Sequence, residues 1–455
     1  MNGWNVMDVV GGLHTNPKRK RGGKSREVPQ GVDLRGSLSS LAFRVGVSVA
    51  LVCCLVITLA TPTSAEDASP LAFKVGKVLT MDAKDRVINN AVVLVRQGKI
   101  ERVGPADEVD VPAGYTVVSK PDHWLVPGLV EPHNHAAGIM RDLHDYVYLT
   151  NPGLRTTAAF TPDSENNKRA IAGGVTTAHM IPGSGNNMSG FGTIVKLAGE
   201  SLDEMLIRAP GSLKLAQAGN PERYWYGVGR AFMNYNLRQT LEKALAYHRQ
   251  WERFERGETK EKPRFDLFWH DFRDVFRREM VTLVHTQMYQ VVMTSVDMLA
   301  KKLDMRIILG HSTFDAYKAA PLVIKQDNVY TNNGPRQIHF DRTQRKLMGN
   351  AARWWQGGVR KLSINTDSPV LPQEELPYQA AMACHYGWKP YEALRGITST
   401  AAETLMLDER LGSIEKGKDA DLGLWTGDPL DPSSACEMTV VDGRIVYDAE
   451  QGRKF

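Results

Sequence analysis

Cysteine is scarce in this chain of 455 residues: there are four, and two of them, Cys53 and Cys54, sit inside an N-terminal apolar run. Without that run only Cys384 and Cys436 remain, enough for at most one disulfide. A disulfide-stapled scaffold and a thiolate zinc cluster are therefore both excluded. Charge of one sign is lacking too. The 56 Lys and Arg residues face 51 Asp and Glu residues, and much of the net +5 lies in the single run Lys18-Arg19-Lys20-Arg21. Elsewhere the signs are interspersed and form no basic stripe, so no nucleic-acid partner is expected. The apolar run Val45 to Ala60 is shorter than the roughly 20 residues that span a bilayer. What is present is ordinary for a globular protein: 42% hydrophobic and 24% charged residues, with no internal repeat and no low-complexity tract.

The N-terminus reads as a targeting segment. Basic residues up to Arg44 precede the apolar run, and Thr63-Ser64-Ala65 offers a small-residue cleavage site, the three parts of a secretory signal. Residues 1–65 are expected to be a signal peptide or an N-terminal anchor, and the protein is expected to be exported to the periplasm or beyond the cell. Any membrane attachment would run through this segment if it is left uncleaved.

Two β-rich blocks flank the rest. The first runs from Leu71-Ala72-Phe73 through Asn90 to Arg96 and Gly98 to Gly104, with a turn at Gln97-Gly98. The second holds Ala420 to Trp425 and Met438 to Tyr447, with a turn at Asp442-Gly443. Each block is too small for its own core. Residues 66–128 and 406–455 are expected to combine into one small β-sandwich domain.

Between the blocks, from 129 to 405, short apolar runs alternate with helical patterns. Candidate strands are Val175 to Ile181, Ser212 to Ala216, Val281 to His285, Arg306 to His311, Asn328 to Thr331 and Lys361 to Asp367. That alternation argues an α/β protein with a parallel sheet, and at this length a closed (β/α)₈ TIM barrel. Residues 222–280, rich in aromatic and charged side chains, interrupt the rhythm as a helical insertion, either a cap on the barrel wall or a lid over its mouth.

His133 and His135 follow the apolar run Trp124 to Pro132. Strand side chains alternate, so residues i and i+2 leave the strand on one side and can chelate one ion. Lys214, His285, His311 and Asp367 fall on or at the ends of later candidate strands, where a parallel barrel presents its reactive groups. Imidazole and carboxylate donors suit Zn²⁺ and its first-row neighbours.

His133, His135, His311 and Asp367 lie within stretches that resemble the amidohydrolase superfamily, near its imidazolonepropionase-like and exported dipeptidase-like members. The stretches are Pro127-Gly128-Leu129-Val130-Glu131-Pro132-His133-Asn134-His135, Gly173-Gly174-Val175-Thr176-Thr177, Pro182-Gly183-Ser184, Leu309-Gly310-His311, Asn365-Thr366-Asp367-Ser368-Pro369 and Leu411-Gly412-Ser413-Ile414-Glu415-Lys416-Gly417-Lys418-Asp419-Ala420-Asp421-Leu422. The last is the most specific, and the similarity covers roughly residues 70 to 447.

The resemblance implies that His133, His135 and Asp367 hold one divalent metal, most simply Zn²⁺. His285 and His311 hold a second metal, or divide into one ligand and one group that orients water. Lys214 would bridge two metals as a carbamate, or would be structural beside one. Related chains often place an acid where Gly219 stands here, so a glutamate bridge at that position is excluded. Many members read Asp-x-His-x-His, whereas here proline precedes His133 and Glu131 stands one residue out of register. The implied reaction is hydrolysis of an amide or cyclic-amide C–N bond, with Asp367 moving protons and His311 a ligand or an oxyanion donor. The substrate would be a small molecule or small peptide. Heterocycle deamination on the same scaffold and a metal-free binding homologue are the alternatives, and an oligomer is compatible with the sequence.

His179, Arg336 and His339 are further candidates for substrate contact. The glycine-rich stretch Pro182 to Gly190 could present backbone N–H groups to a substrate but lacks the lysine of a nucleotide-phosphate loop. His385, beside Cys384, is expected to be structural, and His144, His248 and His270 to face solvent.

Overall fold

The computed structural model describes residues 69–451 except 137, 139–142, 144 and 218. The expected signal or anchor segment 1–65 and His144 lie outside the described residues. Among the described residues no helix is long and apolar enough to cross a membrane.

The chain begins with four strands, β1 (Leu71–Leu79), β2 (Val87–Arg96), β3 (Lys99–Pro105) and β4 (Thr116–Pro127). It then enters a second sheet through β5 (Leu129–Asn134), β6 (Val175–Met180), β7 (Met188–Lys196), β8 (Leu206–Ala216), β9 (Val281–Thr286), β10 (Ile307–His311) and β11 (Val329–Asn333). A hairpin of β12 (Ile338–Asp341) and β13 (Lys346–Gly349) precedes that sheet's last strand, β14 (Leu362–Ile364). The chain returns to the first sheet as β15 (Leu422–Trp425), β16 (Cys436–Val441) and β17 (Arg444–Asp448).

Both ends build one sheet, ordered β17-β16-β15-β4-β1-β2-β3. The join is β15 antiparallel to β4, with Leu422 opposite Pro127 and Trp425 opposite Trp124. The turns at Gln97-Gly98 and Asp442-Gly443 both take positive φ at their two central residues, the mirror-image turn that matches strand twist in a hairpin. Segments from both termini contribute strands to this sheet. Its hydrogen bonding, however, forms a single seven-stranded sheet rather than the two facing sheets of a sandwich. One face carries Phe73, Val93, Leu125, Leu422 and Val440 in a shared core.

The second sheet has eight strands, ordered β14-β11-β10-β9-β8-β7-β6-β5. It nearly closes: Asn134 bridges to Ser368, just past β14, and the His135 N–H donates to the Ser368 carbonyl at 2.7 Å. β5, β6, β9, β10 and β11 are buried along their whole length, as strands covered on both faces must be. One strand departs from an all-parallel barrel. β7 runs antiparallel to both β6 and β8, so Pro182 to Asn187 is the turn of a hairpin and not a crossover.

The insertion holds a short helix at Asn220–Tyr224, a 26-residue helix at Arg230–Glu255 and a short one at Phe272–Phe276. The long helix buries Leu237, Leu241 and Ala244 against the sheet's core and leaves Phe232 and Tyr235 exposed. His248, expected in solvent, is buried instead, its ring 5.6 Å from that of Phe276. The cause is helical phase: it shares the inward stripe with Leu241 and Ala244.

Candidate metal centre

Four of the histidine candidates form a chain of rings. His133 and His135 lie 5.3 Å apart centre to centre, His133 and His311 4.5 Å, and His285 and His311 4.6 Å. Asp367 joins them: its Oδ1 is 3.1 Å from His133 Nε2 and 3.2 Å from His135 Nε2, and its Oδ2 is 4.0 Å from His311 Nε2. His133, His311 and Asp367 offer donor atoms that all lie within 4.8 Å of one another.

Each group is delivered by the end of a strand. β5 carries His133, β9 His285 and β10 His311, while β8 carries Lys214 in its buried half. Asp367 stands three residues beyond Ile364, the last residue of β14. His311 and Asp367 both adopt left-handed backbone, φ 66° and 51°. Non-glycine residues sit there only when their surroundings hold them. Asn333 holds His311: its Nδ2 donates to the carbonyls of His311 and Ser312 at 2.7 and 3.0 Å. Glu131 holds Asp367: its carboxylate accepts from the Thr366 N–H and hydroxyl at 2.9 and 2.7 Å and, on the other oxygen, from the His133 N–H at 3.1 Å. The out-of-register acid thus clasps the histidine strand to the aspartate loop. Burial pushes the Glu131 carboxyl up to about 8 against these three donors.

Burial sets the charge states. It lowers His133 and His285 well below the usual imidazole range and His311 to about 4, so all three are neutral near pH 7 with a lone pair to give. His135 places Nδ1 2.9 Å from the Ile181 carbonyl, which fixes that nitrogen as the donor and leaves Nε2 toward Asp367. Burial would raise the Asp367 carboxyl, but His311, His133 and His135 pull it well below the ordinary carboxylate value. Burial lowers the Lys214 ammonium to about 7 against the opposing pull of the Asp367 charge.

The donor set fits a divalent cation. Nδ1 of His133 and of His311, both ring nitrogens of His285 and Nζ of Lys214 are buried without a hydrogen-bond partner. Unpaired buried polar atoms at this density are costly unless something else satisfies them. Gly219 takes φ 80°, and a Cβ there would lie 3.6 Å from His285 Nε2, so the position that lacks an acid does face the centre.

The centre forms the floor of a cavity of about 590 Å³ lined by His135, His285, His311 and Asp367, with Arg336 and His339 on one wall and Ser184 and Gly185 on another. His179 does not line it. Its Nδ1 is tied to the Pro132 carbonyl at 3.0 Å and its Nε2 to Ser212 at 2.6 Å, so it props the histidine strand from behind. Asn333 went unread in the sequence; a polar pair, Asn332-Asn333, ending a buried strand was its one signal. Gln287, Thr313, Phe314 and Val370 also line the cavity and carry no motif.

Strand ends, histidine pair and aspartate loop together are features that this chain shares with the amidohydrolase superfamily. The model described as "Amidohydrolase family" matches residues 350–446, the stretch that contains Asp367. Among particular relatives, the chain is 25% identical over 408 residues to amidohydrolase tasK of Hapsidospora irregularis, covering 78% of this chain and 40% of that protein. It thus spans less than half of that relative's length. It is 24% identical over 391 residues to an imidazolonepropionase of Legionella pneumophila (strain Paris), covering 76% and 90%. The crystal structure of an amidohydrolase from Thermotoga maritima MSB8 superposes with a TM-score of 0.72 at 27% identity, covering 83% of this chain and 100% of that one.

Proposed function

We propose that this protein is a metal-dependent hydrolase that cleaves an amide or cyclic-amide C–N bond in a small, peptide-like molecule. The observation that carries this reading is the cluster of buried, neutral, unpartnered imidazole nitrogens around one ionised carboxylate at the floor of an open cavity. Relatives named amidohydrolase and imidazolonepropionase support the same class of bond.

His133, His135 and Asp367 would hold one cation, Zn²⁺ being the simplest choice. His285, His311 and Lys214 would hold a second, or His311 would stay free to donate to a developing oxyanion. The chemistry such an ion supplies is the acidification of water toward a pKa of about 7 and the polarisation of a carbonyl. Asp367 takes the proton of the attacking water on its carboxylate and returns it to the departing nitrogen, which leaves as an amine. Glu131 and Asn333 keep Asp367 and His311 in place during that exchange. Because the Lys214 ammonium is brought to about 7, much of it is neutral amine at pH 7. Such an amine can bond to the carbon of CO₂ and release one proton to solvent, giving a carbamate.

The test is metal content per chain with zinc and bicarbonate supplied, in wild type and Lys214→Ala. It is read beside amine release from dipeptides, N-acyl amino acids and lactams, with ammonia assayed separately. Two ions falling to one or none in the variant indicate the bridged site; one ion in both makes Lys214 structural. Asp367→Asn is expected to lower kcat at least about 100-fold. Ammonia as the product would move the assignment to deamination, and folded protein that binds no metal would overturn it.

A further inference from the structure

Above the metal-binding floor, the cavity lining among the described residues contains one arginine, Arg336, and no lysine or glutamate. Its one carboxylate, Asp367, is turned to the imidazoles. Among the described residues the Arg336 guanidinium makes no hydrogen bond and no ion pair, while its backbone is fixed: its carbonyl accepts from Asn350 Nδ2 at 2.7 Å. The same Asn350 holds His339 through Nδ1 at 2.7 Å, and the His339 ring meets Phe314 edge-on at 5.7 Å. One asparagine thus aligns a free cation and an aromatic wall. Phe314 and Val370 line the same cavity and are 50% and 55% exposed, so the wall beside Arg336 presents apolar surface to whatever enters.

A guanidinium that faces a cavity without a protein anion pairs best with a planar carboxylate, which takes two parallel N–H donors. An exposed apolar wall beside it takes a hydrocarbon substituent. We propose that this cavity selects amides that carry a free carboxylate next to an apolar side group, with Arg336 as the residue that sets the preference. This deepens, and rests on, the hydrolase reading above. Arg336 acts on binding; the reacting atoms stay with the floor.

The test uses two ligands that cannot be hydrolysed, 4-phenylbutanoate and 4-phenylbutan-1-ol, titrated calorimetrically into the metal-loaded protein at pH 7. The carboxylate is expected to bind about 10- to 100-fold more tightly than the alcohol, the range of one charge-assisted contact. In Arg336→Gln the two should bind within about threefold of each other, and Arg336→Lys should keep part of the preference. Equal binding to wild type, binding of neither ligand, or a preference that survives in Arg336→Gln would overturn the proposal; the last would place the anion on the floor. Neither ligand reacts, so failure here is separate from failure to hydrolyse amides.

Discussion

At the scale of single residues, the site depends on groups that never meet a substrate. Glu131 is fully buried and spends both oxygens on three donors, one from β5 and two from the loop that carries Asp367. Glutamine at this position keeps the shape but replaces an oxygen, which has lone pairs to accept with even when burial keeps the carboxyl protonated, by an N–H₂ group that must then face a backbone or hydroxyl donor. Glu131→Gln is therefore expected to cost about 1–3 kcal/mol of stability. It should also weaken metal binding about 10- to 100-fold, the usual loss when a ligand's outer support fails. Urea unfolding and competition with a chelator measure the two, and unchanged metal affinity would show that Asp367 stands without the clasp. Asn333→Ala removes the one amide that ties the carbonyls of His311 and Ser312 together, leaving the first only the Gly334 N–H at 3.4 Å and the second the Trp354 indole N–H at 2.8 Å. A drop in kcat at nearly constant KM is expected, since His311 lies at the floor while Arg336 and the apolar wall are untouched; a change in KM alone would contradict this.

At the scale of elements, the two sheets are joined through Lys196 at the end of β7. Its ammonium is buried and bonds Asp419 at 2.8 Å, Asp421 at 3.1 Å and also Asp442. Removing one partner of a buried ionic cluster strands the others, so Lys196→Met should cost about 3–5 kcal/mol at pH 7. The acids differ in sign. Burial raises Asp421 to about 6, so the folded chain holds an extra proton between pH 4 and 6 and this group costs stability as pH rises through that window. Burial works against Asp419 as well, but the Lys196 contact brings it to about 2; its contribution is present above pH 4 and lost as pH falls toward 2. Asp421→Asn should accordingly gain on wild type between pH 4 and 6, by up to about 3 kcal/mol. A denaturation series with parallel pH profiles for the two proteins would refute the assignment.

The same strand marks the limit of what the sequence discloses. β5, β9 and β10 announce themselves as largely apolar runs with a histidine at or next to the last position, because strands buried on both faces admit little else. β7 reads Met188-Ser189-Gly190-Phe191-Gly192, and its glycines look like a loop. Those glycines serve close packing instead: a Cβ on Gly190 would lie 2.7 Å from the Leu154 carbonyl oxygen, and one on Gly192 2.8 Å from that of Met180. The metal-ligand candidates were legible because their chemistry restricts residue type. Asn333 and the cavity walls were not, since an asparagine or a phenylalanine has many other uses.

Across the whole molecule, the site's unpaired donors imply that the cation and the fold stabilise each other. Five nitrogens on four strands, those of His133 (Nδ1), His285 (both), His311 (Nδ1) and Lys214, are buried without hydrogen bonds, and in the unfolded chain water would satisfy all of them. A ligand that binds only the folded state stabilises it by about 2.7 kcal/mol at a hundred times its dissociation constant. Zinc added to chelator-treated protein is therefore expected to raise Tm by several degrees, with a shift that grows with the logarithm of free metal. The double variant His133→Ala, His135→Ala should lose most of that shift. It removes an orphaned nitrogen, His133 Nδ1, from the interior, so its metal-free form should fall less below metal-free wild type than two buried truncations normally would. A Tm that ignores zinc in wild type, or that rises equally in the double variant, would mean the histidine cluster is a structural core feature and not a metal centre.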